Sequence, residues 1–402
     1  MFGKNFKRNF YPMNVAELNS EKCSGCGLCM SVCSKHSISI EPDSLGYLRP
    51  VVDANTCVDC GLCVKKCVII NPVDTKLPQQ TFAAIRTDKN KISLSSSGGV
   101  FAAVAEHVIA EGQWAVVGSS LNESVSAKHV IVENADDLRE LYGSKYVQSE
   151  TTGIYEKVSK LLNEGKRILF SGTPCQVAAI QRYTKNHQNL FTIEVICHGV
   201  ANNEMFNSYL EMYDRGNIKK FYFRDKGQGW SFNNKILYNN GKEKKVNHRM
   251  SSYMTYFLKG ETYRDCCYKC PYAKPERGAD ITIGDYWGIL QTRPDLNNKI
   301  DIEKGVSCVL VNNNKGMRLI KKADIELYDV EYSAIRKENG PANEPSTHTE
   351  KRDKILAAWR GQKDWKDVHA FWKANDLKLS YRLWSMVPIS LQHKIRVVLG
   401  KR

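Results

Sequence analysis

Cys23–Cys33 reads CSGCGLCMSVC, and Cys57–Cys67, beginning 34 positions further on, reads CVDCGLCVKKC. Both copies are C-x2-C-x2-C-x3-C around an identical C-G-L-C core. Soft thiolates at this spacing wrap a cubic iron–sulfur cluster, because three cysteines two residues apart turn one loop around one face of it. A doubled run is the two-cluster ferredoxin pattern, in which the fourth cysteine of each copy ligates the cluster of the other. Cys23, Cys26, Cys29 and Cys67 are therefore assigned to one 4Fe-4S cluster, and Cys57, Cys60, Cys63 and Cys33 to the second. Gly27 and Gly61 let the backbone pass close to the sulfides. Ser34 and Val68 stand where a proline usually follows the fourth cysteine. That proline supplies no ligand, so the ligation is untouched. Zinc or disulfides are the competing readings, and neither accounts for so regular a repeat.

Working outward, 402 residues suffice for two or three domains, and 42% hydrophobic with 25% charged residues is ordinary for a soluble chain. No run of 18 or more apolar residues suggests a membrane-spanning helix. The opening MFGKNFKRNFYPMNV lacks the apolar core of a secretory signal. A cytoplasmic location is expected, where fourteen cysteines point to metal ligands rather than disulfides. The net charge of +15 carries no nucleic-acid fingerprint, so nucleic acid is not expected as a partner. A basic face suits an acidic electron carrier such as ferredoxin or flavodoxin, or a membrane surface.

Residues 1–78 form the first module. HSISIEPDSLGYLRPVVD reads as two short strands around a turn at Pro42–Gly46, and Asn71–Pro78 as a linker. TFAAIRTD then reads as a strand. A Ser/Gly loop, Ser93–Gly99, leads into an apolar helix over Val100–Ala110, and such a helix start favours an anion. A plain loop before a core helix is the bland alternative. WAVVGSS and AKHVIVEN are strands, and GSKYVQS (Gly143–Ser149) sets Lys145 and Tyr146 in a polar segment. Lys145 suits a phosphate or a flavin carbonyl, or is a solvated surface lysine.

RILF, the helix opening at Cys175, and LFTIEVI compose a βαβ unit. Its parallel strands end at one sheet edge, where α/β folds bind ligands. Cys175 and Cys197 lie just beyond those ends, and the helix start should favour the Cys175 thiolate. Cys267 and Cys270 form a C-x2-C that by itself fits zinc, a redox dithiol or half of a larger site. Cys308 lies in the apolar strand GVSCVLVN and reads as a buried small hydrophobe. The tail from Lys351 holds thirteen Lys/Arg against four Asp/Glu, with Trp359, Trp365, Trp372 and Trp384. An interfacial helix pair on a membrane and ordinary packing with a solvated basic face are both open.

SSSGGVF, GSKYVQS, SGTPCQVAAI, CHGV, FRDKGQGW and CYKCPYAKPERGADITIGDYWGI, in this order, resemble the beta subunit family of coenzyme F-420 hydrogenase/dehydrogenase, in the version preceded by a two-cluster ferredoxin module. The resemblance spans roughly residues 20–340. It implies an α+β ferredoxin-like module at 1–78 and an α/β flavoprotein domain at 79–340, in two parts meeting near residue 160. The basic, helical tail at 341–402 lies outside the resemblance. It also implies FAD, with Ser96, Ser97, Gly98, Gly99, Lys145, Tyr146, Gly172, Thr173 and Gln176 at its site. Clusters move single electrons, deazaflavins and nicotinamides move hydrides, and a flavin exchanges one for the other.

With eight cysteines used by the tandem run, Cys175, Cys197, Cys267 and Cys270 are expected to hold a third 4Fe-4S cluster. The βαβ geometry pairs the first two, and the resemblance aligns the second two with the family's CYxC, leaving Cys266 a bystander. The expected function is an iron–sulfur flavoprotein oxidoreductase. Its hydride side is coenzyme F-420 or an organic substrate, such as a precursor in polysaccharide biosynthesis. The alternative is a non-catalytic electron-transfer subunit docked on a larger redox complex, or on the inner face of the membrane through the tail.

Overall fold

The computed structural model describes residues 13–121, 125–297, 299–387 and 391. In the tandem run each C-G-L-C core turns at its glycine. Gly27 (φ 76°) and Gly61 (φ 69°) are left-handed, a conformation that costs a glycine nothing. Short helices, Leu28–Ser31 and Leu62–Lys66, start directly after them. Between the two lies the expected hairpin of β1 (Ile38–Pro42) and β2 (Leu48–Val52), with Asp43 Oδ1 closing the turn onto the N–H groups of Leu45 and Tyr47.

The remaining strands are β3 (Gln80–Arg86), β4 (Trp114–Leu121), β5 (Ala127–Val132), β6 (Arg167–Gly172), β7 (Leu190–Val195), β8 (Ile218–Tyr222), β9 (Asn234–Tyr238), β10 (Glu243–Val246), β11 (Ile281–Asp285), β12 (Ser307–Val311) and β13 (Ile325–Asp329). Eight of them build one sheet in the order β13-β3-β12-β11-β7-β6-β4-β5. Its centre, β11-β7-β6-β4, is parallel, and its flanks are antiparallel. The apolar run of β12 is buried at every position, as a strand covered on both faces requires. The β6–helix–β7 unit forms as read. Its helix, Pro174–Tyr183, is started by a capping box between Thr173 and Gln176 and a proline in the first turn. Strands β8–β10 make a second, antiparallel sheet.

Two boundaries read from composition are not packing boundaries. The first module has a small core of its own around Val15, Leu18, Ile38 and Val64. Leu28 and Val68, however, belong to a core shared with Ile154, Tyr155, Val177 and Ile180 of the large domain. The Asn71–Pro78 linker is strapped down, with Arg182 donating to the carbonyls of Asn71 and Pro72 and Lys76 bridging to Arg277. At the other end, helices Glu350–Gln362 and Trp365–Asn375 pack on helices Asn203–Glu211 and Ser252–Leu258. Trp359, Trp365 and Trp372 are 1%, 0% and 2% exposed. Burial of these rings overturns their use as membrane anchors. A large aromatic surface covers the large domain's own core instead. No helix among the described residues is long and apolar enough to cross a membrane.

Candidate functional site

The carboxyl ends of the parallel strands open on a cavity of about 640 Å³, within the range of about 300–1,000 Å³ usual for ligand sites. One wall is the loop before helix Val100–Ala110, with Ser96, Ser97 and Gly99; another is Lys145 and Tyr146; a third is Gly172 and Thr173 at the end of β6. Cys175, Cys197, Cys266, Cys267 and Cys270 line the same cavity. Topology and loops thus bring together all but one of the residues expected to hold FAD and the third cluster.

Gly98 is the exception. Its N–H donates to Ser307 Oγ, and a side chain there would run into the Ala84 carbonyl, so it lets the loop lie against β3 and β12 and does not line the cavity. Gln176 does line it, but its amide is committed internally. The oxygen accepts from the Thr173 N–H and the nitrogen donates to the Ser149 carbonyl. Lys145 is not a solvated lysine. Its ammonium donates to the carbonyls of Glu140, Leu141 and Tyr142, and burial pushes its pKa down to about 7. Tyr146 stacks its ring among Phe223, Phe232 and Phe257 and accepts a hydrogen bond from Arg224.

Charge interactions connect all six pairs among Cys175, Cys197, Cys267 and Cys270. Burial pushes the Cys175, Cys197 and Cys270 thiols up, Cys270 to about 12. The helix start therefore does not make Cys175 a ready thiolate, because loss of hydration outweighs the dipole. Cys267 is held below the ordinary thiol value, first by a hydrogen bond from Cys266. Cys266 is thus a partner of the site rather than a bystander. Among the described residues no three His, Cys, Asp or Glu side chains close on one point as a single metal ion needs, and the tandem run is in the same condition.

In the tandem run, Cys67 interacts with Cys23, Cys26 and Cys29 of the other copy, as the crossed assignment requires. This group faces inward. The Cys26 carbonyl accepts from Thr151 Oγ1 (2.8 Å) and Tyr155 Oη (2.6 Å), and Gln148 donates to the carbonyls of Ser24 and Gly25. Cys26 also feels Cys175. The Ser24 hydroxyl, buried with no hydrogen-bonded oxygen or nitrogen, lies beside both thiols and favours their charged forms. Cys60 is exposed and Cys57 half-buried. Cys308 is fully buried in β12, as read.

Several residues to which the motifs give no role belong to the site, although Gln148, Arg224, Trp230 and Asp285 stand inside quoted motifs. His129 is fixed between Ser149 Oγ (2.8 Å) and the Ser171 carbonyl (3.1 Å), and burial pushes its pKa down to about 4. Asp285 pairs with Arg224 (2.8 Å) and accepts from Trp230, while Phe232 and Trp287 cover the guanidinium. Gln148, Tyr155 and Arg264 join the two cysteine groups. Only the fold reveals these, since their partners lie tens to hundreds of residues away.

Residues 165–336 match the family described as the C terminus of the coenzyme F420 hydrogenase/dehydrogenase beta subunit, and residues 22–69 match the 4Fe-4S dicluster domain. The family read from the motifs is found, and segment 79–160 lies outside both matches. An uncharacterized protein of Methanocaldococcus jannaschii is 23% identical over 352 residues, 80% of this chain and 89% of the relative. A chain in a structure of the F420-reducing [NiFe] hydrogenase complex from Methanosarcina barkeri is 16% identical, with a TM-score of 0.44 over 71% of this chain and 93% of that one.

Proposed function

We infer that this chain, an iron–sulfur electron-transfer protein joining a 4Fe-4S dicluster segment to a segment of the F420 hydrogenase/dehydrogenase beta-subunit family, is an FAD-dependent oxidoreductase with a third 4Fe-4S cluster. The observation that carries this is one cavity holding both the anion-suited loop and four mutually interacting thiols. Burial favours the neutral forms of Cys175, Cys197 and Cys270, and bound iron would reverse that preference. Cys175, Cys197, Cys267 and Cys270 would hold the cluster. The loop Ser95–Gly99, the helix start at Val100, Lys145 and the Gly172–Thr173 turn would hold FAD. An FAD phosphate or carbonyl beside Lys145 would return that lysine to its charged form. Bound there, FAD supplies exchange between single electrons and hydride. Phe232, His248 and Trp287 also line the cavity, and F-420 or another flat organic substrate would lie against them.

Anaerobically purified protein should contain about twelve irons per chain, four for each of three clusters, together with releasable FAD. Eight irons and no flavin would refute the reading. A second reading, that of a subunit which passes electrons inside a larger redox complex, draws on the family's description as a beta subunit. Turnover of the isolated chain with an artificial acceptor decides against it.

A further inference from the structure

Five arginines are buried among the described residues: Arg86, Arg224, Arg264, Arg277 and Arg352. Four have a carboxylate partner, in Glu106, Asp285, Glu194 and Asp265 respectively. Arg264 has none. It is 3% exposed, and its guanidinium donates to the Cys23 carbonyl (3.1 Å), the Leu48 carbonyl (2.8 Å) and Gln148 Oε1 (2.6 Å). Those are neutral acceptors. A buried cation with neutral partners alone is costly, so its counter-charge has to be found elsewhere. The largest charges acting on it are those of Cys23, Cys266, Cys267 and Cys175, and it lines the same cavity as the last three. Nη2 stands 4.0 Å from Cys23 Sγ. Gly25, left-handed at φ 63°, leaves the space in which the guanidinium lies.

We propose that Arg264 is a positioning residue for electron transfer, a single cation shared by the Cys23/Cys26/Cys29/Cys67 cluster and the Cys175/Cys197/Cys267/Cys270 cluster. This rests on the third cluster of the proposed function. A cluster gains one negative charge on reduction, so a fixed cation stabilises its reduced form and raises its potential. Arg264 raises both neighbours together. No thiol of the Cys57, Cys60, Cys63 and Cys33 cluster is among the largest charges acting on Arg264, so that cluster receives much the smallest lift. Electrons arriving at the exposed Cys60 side are thereby drawn inward, and the place of transfer is where Cys26 and Cys175 feel one another's charge beside Ser24.

The test is a redox titration of the holoprotein followed by electron paramagnetic resonance, on wild type, Arg264→Gln and Arg264→Lys. Arg264→Gln keeps a donor and removes the charge. The potentials of both inner clusters should move negative while the outer one stays. Arg264→Lys keeps the charge and forfeits the forked hydrogen bonds, and should leave all three near wild type. A residue that merely ties the module to the large domain would show the reverse, with Lys as disturbed as Gln. Unmoved potentials in Arg264→Gln, movement of one inner cluster alone, or equal movement of all three overturns the proposal. If Arg264→Gln fails to fold, Arg264→Lys decides, since large shifts with the charge retained also overturn it. Wild-type iron separates the two readings. Eight irons remove the third cluster and this proposal with it, whereas twelve irons with unmoved potentials remove the role of Arg264 alone.

Discussion

The two cysteine groups of this protein are built in opposite ways. In the tandem run Cys23, Cys26 and Cys29 come from a single loop, and Cys67 reaches them from the other copy. The loop is shaped by a left-handed glycine and a short helix, and its spacing is its signature. In the cavity group, Cys175 comes from a helix start after β6, Cys197 from the end of β7, and Cys267 and Cys270 from a segment before β11. Cys175 and Cys197 meet because β6 and β7 run parallel and end at one edge, and the segment carrying Cys267 and Cys270 is tied to the loop after β7 by the Arg264 N–H donating to the Val200 carbonyl. Local geometry therefore makes the first group robust, and tertiary packing makes the second conditional. The difference can be broken or sharpened in four ways.

The largest effect belongs to the cysteines themselves. Cys267→Ser should lower iron by about four per chain, one cluster's worth, and abolish flavin-linked turnover while both tandem clusters persist. Cys60→Ser, at the exposed end, should remove one tandem cluster and leave the cavity group and FAD in place. Iron analysis with electron paramagnetic resonance reads both. Loss of FAD in Cys60→Ser would show that the two groups are not separable.

Next comes the scaffold of the cavity group. Arg352 donates twice to the Tyr263 carbonyl and pairs with Asp265 at 2.6 Å, so the C-terminal helices hold the segment leading to Cys267. Arg352→Met should cost about 3 kcal/mol in denaturant unfolding and loosen the cavity cluster before the tandem ones. Equal sensitivity of all clusters would contradict the comparison.

A smaller effect follows from acid. Burial raises the Glu106 carboxyl, but hydrogen bonds from Arg86, Tyr142 and Lys91 outweigh it and hold the pKa at about 2. The folded value lies below the unfolded one. Its stabilisation is therefore complete above about pH 4.5 and lost as pH falls toward 2. Arg86 lies under Gly99, so the loss falls on the cavity wall. Glu106→Gln should cost roughly 1–2 kcal/mol at pH 7, after solvent screening, and flatten the acid limb of the stability curve over that window. An unchanged limb would remove the argument.

The smallest concerns the join between the groups. Tyr155→Phe deletes the hydrogen bond to the Cys26 carbonyl and should cost about 1 kcal/mol, with iron content unchanged. Loss of the inner tandem cluster in this variant would mean that even the local group depends on the large domain.

Sequence alone determined the parts whose physics is local. The tandem cysteines, the βαβ unit, helix Val100–Ala110 and the buried strand around Cys308 were legible because spacing and periodicity specify them. The family followed from motifs in order, and the pairing of Cys175 with Cys197 from the rule for parallel strands. Tertiary structure alone decided that Gly98 serves the backbone and that the Lys145 ammonium is held by three backbone carbonyls. It also made Trp359, Trp365 and Trp372 core residues and Cys266 a donor to Cys267. Arg264 is the plainest case. In sequence it is one of many cations in a chain of net charge +15. Only contacts with residues as distant as Cys23, Leu48 and Gln148 remove it from water, and a charge acquires its effect from what surrounds it.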